Sequence, residues 1–134
     1  MAVDREQDAI PPHVRRFLLL NVASVPHLEA MLLMYEDPQR QWDIPQVAQR
    51  LYMNQDPAAC VLADLQGSGI IAPAQSGDAP KYIYQPASDE LRDTIRDVAH
   101  CYAKNLRLVT NLIHSRTATQ AQQFADAFKL HKDS

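Results

Sequence analysis

Three helix-spaced apolar segments, a pair of β-branched runs around a turn, and a long helical stripe follow one another along 134 residues. That order predicts a mainly α fold with a small β-hairpin: a winged helix-turn-helix with a long C-terminal helix. The run Leu65-Gln-Gly-Ser-Gly-Ile-Ile agrees, because it joins the end of one helix directly to a strand, as a recognition helix joins its wing. Only three glycines are present, which argues against an all-β fold with many tight turns and against a glycine-rich phosphate loop.

Residues 1–10 are polar and read as a flexible N-terminus, 11–87 as the winged-helix domain, and 88–134 as a helical dimerisation region. Pro11-Pro12 opens the first helix, with Val14, Phe17 and Leu18 inward. Ser24 caps a second helix whose stripe is Val25, Leu28, Met31, Leu32 and Tyr35, widened by Leu33 and Met34. Trp42-Asp43-Ile44 reads as a short strand. A Pro-led helix follows over Pro45–Leu51, with Val47, Ala48 and Leu51 inward. Asp56 caps the next helix and Pro57 begins it; Ala58, Val61, Leu62 and Leu65 keep the i, i+3, i+4, i+7 spacing until Gly67 or Gly69 ends it. Ile70–Ala72 and Lys81–Gln85 form the hairpin, turning at Ser76-Gly77-Asp78. From Ser88 and Asp89 one helix runs to about His114. Its apolar positions are Leu91, Ile95, Val98, Tyr102, Leu106, Val109 and Ile113, with one stutter at Tyr102. A last amphipathic helix carries Ala121, Phe124, Ala125 and Phe128.

Several function classes fall away. No Gly-x-Ser-x-Gly, phosphate loop or His-Glu-x-x-His occurs, so the chain is expected not to be an enzyme. The five histidines are scattered over separate segments, and the spacing of Cys60 and Cys101 matches no zinc motif; no metal and no cofactor are expected. Both thiols lie within apolar helical patterns and read as buried. The acidic start Met1–Asp8 has no apolar core, and runs such as Phe17–Leu20 are far too short for a bilayer. A cytoplasmic protein with no membrane partner is expected.

The segments SVPHLEAMLLM (24–34), WDIPQVA (42–48), GII (69–71), NLIHS (111–115) and FADAFKL (124–130) resemble a family of small bacterial winged-helix proteins described as MarR-like transcriptional regulators. The likeness covers most of the chain. It implies the fold and a generic role in transcription regulation, with no ligand and no catalytic motif to carry over.

Residue chemistry adds a candidate surface. The start of the second helix of a helix-turn-helix meets base edges in the major groove, and here it offers Asn54 and Gln55, whose amides can pair with adenine. Ala59 and Gln66 lie further along that helix. Arg40, Arg50 and Lys81 are candidates for phosphates. Against DNA binding stand the net charge of −3 and the lack of Arg or Lys on the exposed face of the helix, where Asp56 and Asp64 would approach phosphates. Residues 81–116 carry six basic and four acidic side chains, whereas 1–37 carry three and six. A helix of about 25 residues is long for so small a domain to cover, so its stripe from Leu91 to Ile113 is the candidate homodimer face. The same uncharged helix beside Tyr82 and Tyr84 would alternatively suit another protein, giving a winged-helix interaction module without DNA affinity. A third reading is a small-molecule sensor with a pocket between the long helix and the wing domain.

Overall fold

The computed structural model describes residues 10–74 and 79–115. The expected frayed start 1–9, the turn at Ser76-Gly77-Asp78 and the final helix with Phe124–Leu130 lie outside the described residues. The chain divides into two compact units, Pro26–His100 and Met1–Val25 together with Cys101–Ser134. The first helix therefore belongs with the C-terminal segment. The start of the long helix belongs with the winged helix. The sequence-based boundaries at 10 and 87 follow chain order; these units follow spatial packing.

The elements are α1 (Pro12–Asn21), α2 (Val25–Glu36), β1 (Trp42–Asp43), α3 (Ile44–Arg50), α4 (Gln55–Gly67), β2 (Ile71–Ala74), β3 (Lys81–Tyr84) and α5 (Asp89–Lys104), followed by helical residues 106–115. Within Pro26–His100 the strands form one antiparallel sheet in the order β1-β3-β2. Trp42 pairs with Tyr82, Ile71 with Tyr84 and Pro73 with Tyr82. The proline is tolerated because β2 is an edge strand, where a missing donor breaks no ladder. The core of this unit is drawn from every element: Leu28, Met31 and Met34 of α2, Trp42, Val47, Leu62, Leu65, Ile71, Tyr84, Ile95 and Val98 are buried.

Capping fixes the joints. Asp43 and Gln46 form a capping box at the start of α3, each side chain bonded to the other's backbone N–H at 2.8 and 3.0 Å. Ser88 Oγ accepts from Leu91 N at 3.1 Å at the start of α5. α4 begins two residues before the sequence-based start. Asn54 is its N-cap, and Pro57 is its third residue rather than its first. Proline fits anywhere in a first turn because those N–H groups have no intrahelical partner. At the other end, Ile70 N bonds Leu65 O and Gly69 N bonds Gln66 O, the paired bonds of a Schellman cap, with Gly69 at φ 76°. This cap aims the chain straight into β2.

In the other unit, Val14, Phe17 and Leu18 of α1 are buried as their spacing predicts, together with Val109 and Ile113. The expected single helix to His114 is instead broken at Asn105. Asn105 N still bonds Cys101 O and Val109 N still bonds Asn105 O, so helical turns persist on both sides. The break falls between Tyr102 and Leu106, where the stripe stutters. Asparagine, a poor helix-interior residue, occupies it. Among the described residues no single helix is long and apolar enough to cross a membrane.

The two thiols part company. Cys101 is buried, and burial pushes its pKa up. Cys60 is exposed, contrary to its sequence reading. It sits off the Ala58–Val61–Leu62–Leu65 stripe that α4 turns inward.

Candidate nucleic-acid interface

The helix-turn-helix consists of α3, a four-residue turn and α4. Asn54 at the N-cap is exposed and makes no capping hydrogen bond, so its amide is not committed to the helix end. Gln55, exposed, and Ala59, half-buried, line a cavity of about 270 Å³. Asp43, Ile44 and Pro45 from the start of α3, Asp56 of α4, and Ala79 and Pro80 from the turn end of the hairpin complete it. The fold thus sets the beginning of α4 beside the beginning of α3 and the turn end of the hairpin. Gln66 is not part of this group. It is next to last in the helix, about 16 Å along the axis from Gln55 at 1.5 Å per residue.

The basic candidates converge on one indole. Trp42 is buried, and the Arg40 guanidinium lies over its ring at 3.9 Å from the centroid, with that of Arg50 at 5.5 Å. Arg40 arrives from the tight turn after α2, where its N–H bonds Asp37 O; Arg50 is the last residue of α3. Neither has a carboxylate within ion-pair distance among the described residues. Two unpaired guanidiniums at one indole ring form a local concentration of positive charge in a chain whose net charge is negative. Lys81 opens β3, half-buried, in register with Asp43 and Ala74.

One acidic objection to this surface is weakened. Asp64 does not stand free on α4: its Oδ2 lies 2.8 Å from His27 Nε2 on α2. Asp56 remains exposed in the first turn, where its charge favours the helix dipole.

The turn holds a residue that sequence reasoning passed over. Tyr52 has φ 55°, the one non-glycine with positive φ among the described residues, and its side chain is 97% exposed. Tyr52 N bonds Gln49 O at 3.4 Å and Met53 N bonds Ala48 O at 3.0 Å, so α3 ends in a Schellman cap with tyrosine in the left-handed position. The signal was visible in part: no glycine or asparagine follows Arg50-Leu51 at that position, but the position is defined only once the end of α3 is known.

The seven stripe residues divide. Ile95, Val98, Val109 and Ile113 are buried within the single chain, Leu91 and Tyr102 are half-buried, and Leu106 is 56% exposed. Tyr84, one of the two tyrosines considered for a protein-facing surface, is buried. It packs edge-on against Tyr35 with ring centroids 5.8 Å apart. Its hydroxyl has no hydrogen-bond partner among the described residues, and burial raises its pKa to about 12 against the opposing pull of Arg92. Tyr35, Glu36, Pro38, Tyr84, Arg92, Asp93 and Arg96 surround a second, open cavity of about 470 Å³. Arg96 there is shared between Asp93 at 3.4 Å and Asp97 at 3.7 Å, so the lining is close to charge-balanced. Among the described residues no three His, Cys, Asp or Glu side chains come together as a metal site.

No protein-family model matches the chain, and no curated protein matches it by sequence. Solved structures do match by fold. The heme sensor protein PefR from Streptococcus agalactiae, solved in complex with heme, is 14% identical with a TM-score of 0.55, covering 96% of this chain and 87% of that one. MepR, a transcription regulator of the Staphylococcus aureus multidrug efflux pump MepA, is 14% identical with a TM-score of 0.51, covering 98% and 91%. A MarR-family transcriptional regulator from Silicibacter pomeroyi is 12% identical with a TM-score of 0.50, covering 93% and 86%. None of the three is described as an enzyme. At these identities the likeness is one of fold. The chain has the winged-helix fold of MarR-type transcriptional regulators, as its sequence resemblance implied.

Proposed function

We propose that the chain is a dimeric, DNA-binding transcriptional regulator that reads the major groove with the start of α4. The observation carrying this reading is that the helix-turn-helix region holds both kinds of contact group: uncommitted amides at Asn54 and Gln55 at the start of α4, and two unpaired guanidiniums on Trp42. Amides supply base-edge contacts and guanidiniums supply phosphate contacts, the division of labour a specific site requires. Lys81 adds a third charge at the wing. Three cations are few for one half-site, and a two-fold dimer doubles them.

The unit containing α1 and residues 106–115 is the proposed dimer contact. It carries Leu20, 67% exposed, and Leu106. Half-buried Tyr102 belongs to the same unit. Of the buried stripe residues, Val109 and Ile113 lie in this unit.

Selection of random genomic fragments at low and at physiological salt, followed by sequencing, tests the reading. Enrichment of a pseudo-palindrome with a steep salt dependence supports it; no retention at low salt overturns it. Exchanging Asn54 and Gln55 for Ala should abolish site-specific binding while leaving the fold intact, since neither side chain is buried.

One observation favours the alternative of a protein-interaction module. Beyond its first turn, the exposed face of α4 presents Ala63, Asp64 and Gln66 and no cation. Loss of all DNA retention would leave that reading in place.

A further inference from the structure

We infer that Tyr52 is a DNA-backbone contact, its phenol hydroxyl donating to a phosphodiester oxygen on the strand that flanks the groove entered by α4. The inference rests on the DNA reading above and names a residue that reading does not use. Three observations carry it. Tyr52 occupies the left-handed position of the cap on α3, at φ 55°, where a β-carbon is strained and glycine is not. Its side chain is 97% exposed, so no packing within the fold offsets that strain. It lies between Arg50, one of the two guanidiniums on Trp42, and Asn54, the first amide of the recognition helix. Strain retained at an exposed residue beside a candidate site points toward function rather than stability.

The chemistry suits a phosphate. A phenol is a neutral donor on a rigid two-torsion arm, and hydroxyls of this kind are common among side chains that fix a protein's register on the duplex. A neutral donor displaces no counterion. Its removal should therefore weaken binding without changing the salt slope, unlike removal of an arginine. A phosphate contact also carries no base information, so the loss should be the same for specific and non-specific duplexes.

The experiment measures binding of full-length wild type, Tyr52→Phe, Tyr52→Gly and Arg50→Ala to a selected site and to an unrelated duplex, over a range of salt, with thermal melts of each. Tyr52→Phe keeps the ring and the backbone and removes only the donor. The expected result is an affinity about tenfold lower on both duplexes with an unchanged salt slope. Tyr52→Gly should bind as weakly yet melt about 3 °C higher. Arg50→Ala should reduce the slope by about one. Tyr52→Phe binding within twofold of wild type overturns the inference, whatever Tyr52→Gly does. A wild-type chain that retains neither duplex removes the DNA reading and this contact together.

Discussion

Two helix ends in this protein use the same hydrogen bonds and different residues. α3 closes with Met53 N on Ala48 O and Tyr52 N on Gln49 O; α4 closes with Ile70 N on Leu65 O and Gly69 N on Gln66 O. Each puts one residue in the left-handed region, at φ 55° and 76°. At the end of α4 that residue is glycine, and the reason is structural: an added β-carbon would lie 3.3 Å from the Ala87 β-carbon, and Ala87 N bonds Gly69 O at 2.9 Å. At the end of α3 it is a tyrosine whose side chain reaches solvent. One cap serves the fold alone. The other accepts strain and presents an aromatic donor beside the recognition helix. The local residue choice thus separates a joint from a site where the backbone geometry does not.

The comparison can be broken most severely at Trp42, whose ring meets Arg50 from the end of α3 and Arg40 from the turn after α2. Trp42→Ala should cost about 3–5 kcal/mol in urea unfolding, the usual price of a buried aromatic; a cost below 1 kcal/mol would mean the indole is not the platform described. Gly69→Ala comes next. Positive φ and the Ala87 contact together should cost about 1–2 kcal/mol, whereas Tyr52→Gly should gain about 0.5–1 kcal/mol at the matching position. Opposite signs at equivalent positions would sharpen the comparison, and equal signs would end it.

A smaller effect is expected from His27→Ala. It removes the tie between α2 and α4, but Asp64 is largely solvent-exposed, so a loss of at most about 1 kcal/mol is expected from chemical denaturation. The last test is by pH. The buried Tyr84 hydroxyl titrates near 12 in the fold against 10 for the free side chain. The folded state then holds a proton that the unfolded state releases, so this group's contribution to stability is complete below pH 10 and declines between pH 10 and 12. Tyr84→Phe should flatten that decline. It should otherwise be neutral or slightly stabilising, because it removes a hydroxyl without a partner.

Much of this architecture was legible along the chain because its signals are local. Apolar spacing gave α1, α2, α4 and the hairpin, Pro45 and Ser88 announced their helix starts to within a residue, and Gly69-Ile-Ile announced the turn into the wing. The amides of Asn54 and Gln55 were legible for the same reason, since a helix start is a local event. Errors arose where a local rule has more than one solution. Pro57 fits the third position of a first turn as well as the first, and Cys60 lies in an apolar stretch yet on the outer face of its helix. Asn105 shows the reverse case, a break whose stutter was visible but whose depth depends on the packing around it.

The sequence by itself determined the element order, the winged-helix class and the identity of the amides at the start of α4. Only the tertiary structure decided which charges meet. Arg40 and Arg50 are ten residues apart in sequence and share one ring, His27 reaches across 37 residues to engage Asp64, and Asp43 registers with Lys81 through a strand pairing. Periodicity fixes which face of an element is apolar, but the distance between two faces depends on how the elements pack, and no local pattern encodes that. The exposure of Tyr52 and the sign of its φ belong to the same class, because both are set by where α3 must end for α4 to begin.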